Sequence, residues 1–252
     1  MLLPDSFLRT VPHALEASSR LILDATGWVI NSILISFADL EKVAQEMPID
    51  QPSAELEHRL FVHCWSIVDQ CHMLRSLLQR LPSTREQEIE EFISKTAAYT
   101  LIRNSMDHLP EKLSNLIKSE QQRAPLFGAL VWVRVEPKDI VDGELVTYAA
   151  CSVSSGAILG KPTSWMVNSA FENVTGPVSN FHFQTLDRSV DLTGLMADIE
   201  SLLQHFENVV KPRIESNIRA GAQSRGLDPE EVLKARGGGG LKMAMMIRRV
   251  RE

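Results

Sequence analysis

Prolines cut this chain into long runs of helical periodicity, and that punctuation limits the fold more than any other feature. Proline has no N–H to donate and disfavours helix in the residue before it, so helix-period sequence stops where prolines cluster. Between Ser18 and Glu46, Leu21, Ile22, Trp28, Ile30, Ile33, Leu34, Phe37, Leu40 and Val43 fall on one broad apolar stripe. Pro48 and Pro52 end that run. A second helix is predicted from Ser53, its N-cap candidate, to Leu81. Leu60, Phe61, Cys64, Ile67, Val68, Cys71, Leu74, Leu77, Leu78 and Leu81 supply its stripe. After Pro82, Ser83 or Thr84 caps a third run that reaches Leu109. Its first turns carry Glu86, Glu88, Glu90 and Glu91, which suit the positive end of the helix dipole. Pro110 ends or kinks it, and a further helical stretch covers Glu111 to Gln122. The residues before Ser18 contain Pro4 and Pro12 and read as extended or irregular.

The texture changes at Pro125. Leu126 to Val135 is rich in β-formers, Asp142-Gly143 signals a turn, and Glu144 to Ser154 reads as a second strand. Trp165-Met166-Val167 and Phe181-His182-Phe183 are weaker strand candidates. Asp191 opens another long amphipathic helix, striped by Leu192, Leu195, Met196, Ile199, Leu202, Leu203, Phe206, Val209 and Val210, with Pro212 in its later part. The expected class is therefore α+β, mainly α. Residues 1–124 form a long-helix bundle, 125–190 a small inserted antiparallel sheet, and 191–222 the helix that completes the bundle. Residues 223–252, with Gly237 to Gly240 and then Lys242, Arg248, Arg249 and Arg251, read as a mobile basic tail.

Composition narrows the partners. The net charge is −6, so nothing global steers the chain toward nucleic acid or an anionic membrane, and RNA binding needs a local basic patch. The longest apolar segment, Leu21 to Phe37, carries Asp24 and Asn31 and reads as amphipathic, with no membrane span and no signal peptide expected. Cys64, Cys71 and Cys151 form no CxxC pair, which favours a reducing, cytoplasmic setting over a disulfide framework.

The segment Arg103-Asn104-Ser105-Met106-Asp107-His108 gathers a cation, an amide and an imidazole within one and a half helical turns. Asn104 and His108 are i,i+4 neighbours, as are Arg103 and Asp107. Arg103 and His108 stand five apart, roughly 140° around a straight helix, so a kink before Pro110 or a second copy of the helix is needed to bring them together. The pattern resembles the R-x4-6-H motif of the HEPN superfamily. That resemblance implies a helical bundle, a homodimer across the motif helix, and in many members metal-independent RNA cleavage in stress or defence. Other members act as binding or regulatory modules. Carried over, Arg103 holds phosphate, Asn104 orients the site and His108 exchanges protons. Imidazole suits acid–base work near neutral pH, and guanidinium matches phosphate with two parallel hydrogen bonds. The inserted sheet is no part of a minimal HEPN bundle.

Other readings stand beside that one. Arg103 with Asp107 also fits an exposed ion pair, and the chain then serves as a non-enzymatic protein-interaction module. The second helix carries His58, His63, Cys64, Asp69, Cys71, His72 and Arg75, a mixture of zinc-ligand types. The seven-residue spacing of Cys64 and Cys71 matches the apolar stripe, so core thiols are expected and neither metal nor cofactor is assigned. Asp69, His72 or Arg75 has the spacing to face the Arg103 cluster.

Overall fold

The computed structural model describes residues 1–3, 5–48, 53–81, 86–111, 127–136, 140–141, 144–145, 148–155, 177–185 and 188–235. Helices α1 (Ala17–Glu46) and α2 (Ala54–Leu78) are the longest elements and pack along each other. Leu23, Ile30, Ile33, Leu40 and Val43 of α1 and Leu60, Cys64, Ile67, Cys71 and Leu74 of α2 are all buried, the helical spacing the stripes required. Ser53 caps α2 by accepting from the Leu56 amide. The chain is α+β and mainly α, with one small antiparallel sheet between the early helices and the late ones.

The sheet runs in the order β4 (Ala149–Ser155), β1 (Gly128–Arg134), β5 (Val178–Thr185), β6 (Arg188–Asp191), each pair antiparallel. A separate hairpin pairs β2 (Ile140–Val141) with β3 (Glu144–Leu145). The expected strand from Glu144 to Ser154 is thus two elements: its first residues pair back on β2, and pairing with β1 starts only at Ala149. Leu130 and Trp132 of β1 and Phe181 and Phe183 of β5 face the helices. Phe181 meets Phe37 of α1 edge-on at 5.7 Å, and Phe183 meets Trp65 of α2 at 5.2 Å. Register slips by one residue between Val131 and Val133, and Asn180 takes up the extra residue with φ 57°. That is a β-bulge, and Asn tolerates the left-handed conformation better than most residues.

Three further expectations need correction. The third run is not one helix: it splits at Thr96 into α3 (Gln87–Lys95) and α4 (Ala97–Asp107). Thr96 is buried, sits at φ −89° and ψ 10°, and turns its hydroxyl back to the Phe92 carbonyl at 2.6 Å, competing with the helical ladder. The N-terminal segment is irregular as expected, apart from a 3₁₀ turn at Phe7–Arg9 that buries Phe7 and Leu8 in the core. The last long helix is α5 (Leu192–His205), a π-helical turn (Phe206–Val210) and α6 (Lys211–Gln223). A wider turn ahead of Pro212 accommodates the donor that proline lacks. Finally, the first part of the expected tail folds as α7 (Pro229–Lys234), packed on α6 with Leu233 buried. The Trp165-Met166-Val167 strand, the stretch after Glu111 and the Gly237–Arg251 basic end lie outside the described residues.

Candidate functional site

Helix α4 lays Thr100, Arg103 and Asp107 along one face, at spacings of three and four, and that face lies against α2. Asp69, His72 and Arg75 of α2 meet it. The Arg103 guanidinium reaches the Asp107 carboxylate at 2.6 Å through one terminal nitrogen, and Asp69 at 3.7 Å through Nε. One turn back, the Thr100 hydroxyl accepts from Arg75 at 3.0 Å and lies 3.1 Å from Nδ1 of His72. With Arg75 donating to that oxygen, the Thr100 proton can go to Nδ1, which needs a neutral imidazole. Burial pushes the His72 pKa down, and the neighbouring Arg103 and Arg75 cations push it the same way. Burial raises the Asp69 carboxyl, with Asp107 adding to it and Arg103 opposing. Nε of Arg75 is buried with no hydrogen-bond partner among the described residues.

Of the three residues in the Arg103-Asn104…His108 pattern, the fold brings only Arg103 into this seam. Asn104 is exposed. His108 ends α4 as its C-cap and pairs with Glu111 at 3.3 Å, its side chain 62% exposed. Arg103 and His108 share no partner among the described residues. Three cavities lined by described residues lie elsewhere: between Leu2, Leu34, Leu203 and Glu207, beside Tyr99 and Asp198, and between Leu15 and Ile218. Of Asp69, His72 and Arg75, expected to face the cluster, Asp69 meets Arg103 directly, while His72 and Arg75 bond Thr100 one turn away. Thr100 was missed, although it stands three residues before Arg103 on the same helical face. No group of three or more His, Cys, Asp or Glu side chains among the described residues could hold a metal. Cys64 and Cys71 are buried, and burial raises both thiols, Cys71 to about 12.

A second polar knot was also missed. Glu86, at the N-cap of α3, bonds both His205 at the end of α5 and Arg213 of α6, and Glu88 lies 3.5 Å from the other His205 nitrogen. It ties α3 to the π-helical turn across more than a hundred residues of sequence, so no local spacing announces it.

Comparison with protein-family models, with curated proteins and with solved structures returned no match.

Proposed function

We propose that the chain is a non-enzymatic interaction module on a helical scaffold, in which Arg103 fixes α4 against α2. The observation that supports it is the double carboxylate hold on Arg103, with His108 turned to Glu111 instead. A guanidinium recruited for a phosphorane needs its fork free, and an acid–base imidazole needs to lie within hydrogen-bond reach of the same reacting atoms. Arg103 is 36% exposed and its acids more so, hence each pair is worth about 0.2–1 kcal/mol and acts as a clamp on packing. RNA incubated with the purified chain and a chelator should stay intact, for wild type and His108→Ala alike. Chelator-resistant cleavage that disappears in His108→Ala would overturn the interaction reading and support the HEPN-like nuclease.

A second reading, RNA binding without cleavage, has one observation in its favour. Arg75 brings a second guanidinium, with a buried Nε that has no partner among the described residues, to the seam that holds Arg103 and His72. Phosphate there would displace Asp69 from Arg103. That reading requires RNA affinity that falls steeply with salt and drops for Arg103→Gln.

A further inference from the structure

The π-helical turn leaves a backbone acceptor open. Lys211 gives its amide N–H to the Phe206 carbonyl, five residues back. The Glu207 carbonyl thereby loses the donor that an α-helix would supply. Its π-helical donor would be residue 212, a proline with no N–H. Among the described residues no amide outside the helices takes that place. The carbonyl lies between the side chains of Glu207 and Lys211, one turn apart on the same face. Both side chains line a cavity of about 440 Å³, a size within the range of small-molecule sites. The N-terminal segment, α1, and the run from α5 through the π-helical turn into α6 enclose it. Leu2, Leu34 and Leu203 give it an apolar floor, with Leu2 buried and its amide donating to Asn31 Oδ1 at 3.1 Å.

The charges on its wall are unbalanced. Three carboxylates, Asp5, Glu200 and Glu207, stand against one cation, Lys211. Lys211 lies 3.3 Å from Glu207, whose other oxygen accepts from the Phe7 amide at 2.6 Å, so those two groups are already engaged. Asp5 and Glu200 have no ion pair among the described residues. Glu200 and Glu207 stand seven residues apart, about 10 Å along one side of the helix. We propose that this cavity binds a small organic cation. Its ammonium pairs with Glu200, its apolar body lies over Leu34 and Leu203, and a hydroxyl or amide at its far end donates to the Glu207 carbonyl. Each part answers a group on the wall. An unpaired carboxylate selects a cation over an anion. The leucine floor selects an aliphatic or aromatic body, and a carbonyl without its helical donor selects a hydrogen-bond donor. The cavity shares no residue with the Arg103 seam, so the two stand or fall apart.

The test is a ligand-observed NMR titration of the full chain with three probes on one skeleton. Tyramine carries the ammonium and the hydroxyl, phenethylamine lacks the hydroxyl, and para-hydroxyphenylpropionate reverses the charge. Tyramine should bind most tightly, phenethylamine about two- to tenfold more weakly, and the propionate not at all. Glu200→Gln, at an exposed position, should weaken both amines about two- to fivefold. Pro212→Ala supplies the N–H that the Glu207 carbonyl lacks. Tyramine should then fall to the level of phenethylamine, and phenethylamine should not change. Far-UV circular dichroism checks that both variants stay helical, and should Pro212→Ala not, the gap between the two amines on wild type still reads the carbonyl. Glu90→Gln, on α3 and outside the cavity, should bind like wild type. Tyramine that shows no binding at millimolar concentration overturns the proposal. So does a propionate that binds as well as tyramine, or a phenethylamine that matches it on wild type. Equal weakening by Glu90→Gln and Glu200→Gln also overturns it, since that means general attraction to a chain of net charge −6.

Discussion

Two helical glycines should respond to alanine with opposite signs. Gly27 lies where the Phe7–Arg9 turn crosses α1. A Cβ there would meet the Leu8 carbonyl oxygen at 2.5 Å, Leu8 Cβ at 3.0 Å and the Leu8 carbonyl carbon at 3.2 Å. The nearest of these is backbone, so no rotamer change relieves the clash, and either the turn or the helix must move. The turn buries Phe7 and Leu8 almost completely, and the Phe7 amide donates to Glu207 at 2.6 Å. Overpacking of this kind costs about 1–3 kcal/mol, and lifting the turn forfeits up to about 1.5–3 kcal/mol for each apolar side chain uncovered. Against that stands the helix preference of alanine over glycine, about 1 kcal/mol. Overpacking alone should leave Gly27→Ala about 0–2 kcal/mol less stable, and a lifted turn adds to that loss. At Gly221 in α6 nothing lies within 4 Å of the place a Cβ would occupy, so Gly221→Ala keeps the propensity gain and should be more stable by about 0.5–1 kcal/mol. Urea denaturation of both variants measures the difference, and thermal melting should shift by about 2–4 °C per kcal/mol for a chain of this size. Equal stabilisation of the two would refute the close approach of Leu8 to α1.

The polar groups and thiols give four more expected outcomes. His72 has a folded pKa below its unfolded value, so the unfolded chain binds more protons as pH falls below about 6.5. Stability should rise with pH across the window between the two values, and a pH series of melts on His72→Gln should show a shallower slope there. By NMR titration, Arg103→Gln should move the His72 pKa upward, since Arg103 is one of the causes of its depression. Glu86→Ala leaves His205 and Arg213 without their shared carboxylate, and should cost about 2–3 kcal/mol in urea denaturation. A thiol reagent at mildly alkaline pH should label the half-buried Cys151 in the native protein, and Cys64 and Cys71 only after denaturant is added.

The elements whose boundaries rest on proline and on apolar periodicity were legible. Helices α1 and α2 fall within a few residues of the expected spans because each buried stripe repeats at helical spacing over many turns. The stripe, however, does not say which apolar residues are core. Leu21 and Trp28 belong to the same broad arc as Ile30 and Ile33, yet the arc is wider than the surface α2 and the sheet can cover. The break at Thr96 was invisible for a related reason. A single β-branched residue whose hydroxyl returns to the carbonyl four residues back breaks no period, since α3 and α4 each keep their own apolar face. The π-helical turn was half visible: Pro212 marks the strain but not the remedy.

The site obeys the same logic at shorter range. Neighbours on a helical face can be read from spacing, and Arg103 with Asp107 at four residues is an ion pair in the folded chain. Five residues carry a side chain through about 140° beyond a whole turn, and nothing in α4 undoes that rotation. Helix α4 ends at Asp107 with His108 at φ −102° as its C-cap and helix resumes at Leu109, so the imidazole sits at a break and pairs with Glu111. The imidazole that does approach Arg103 comes from α2, through Asp69 and His72, residues more than thirty positions away. Within one chain the imidazole beside Arg103 is therefore that of His72 and not that of His108. Burial first, and then the Arg103 and Arg75 guanidiniums, push the His72 pKa below its ordinary value, which favours the neutral imidazole.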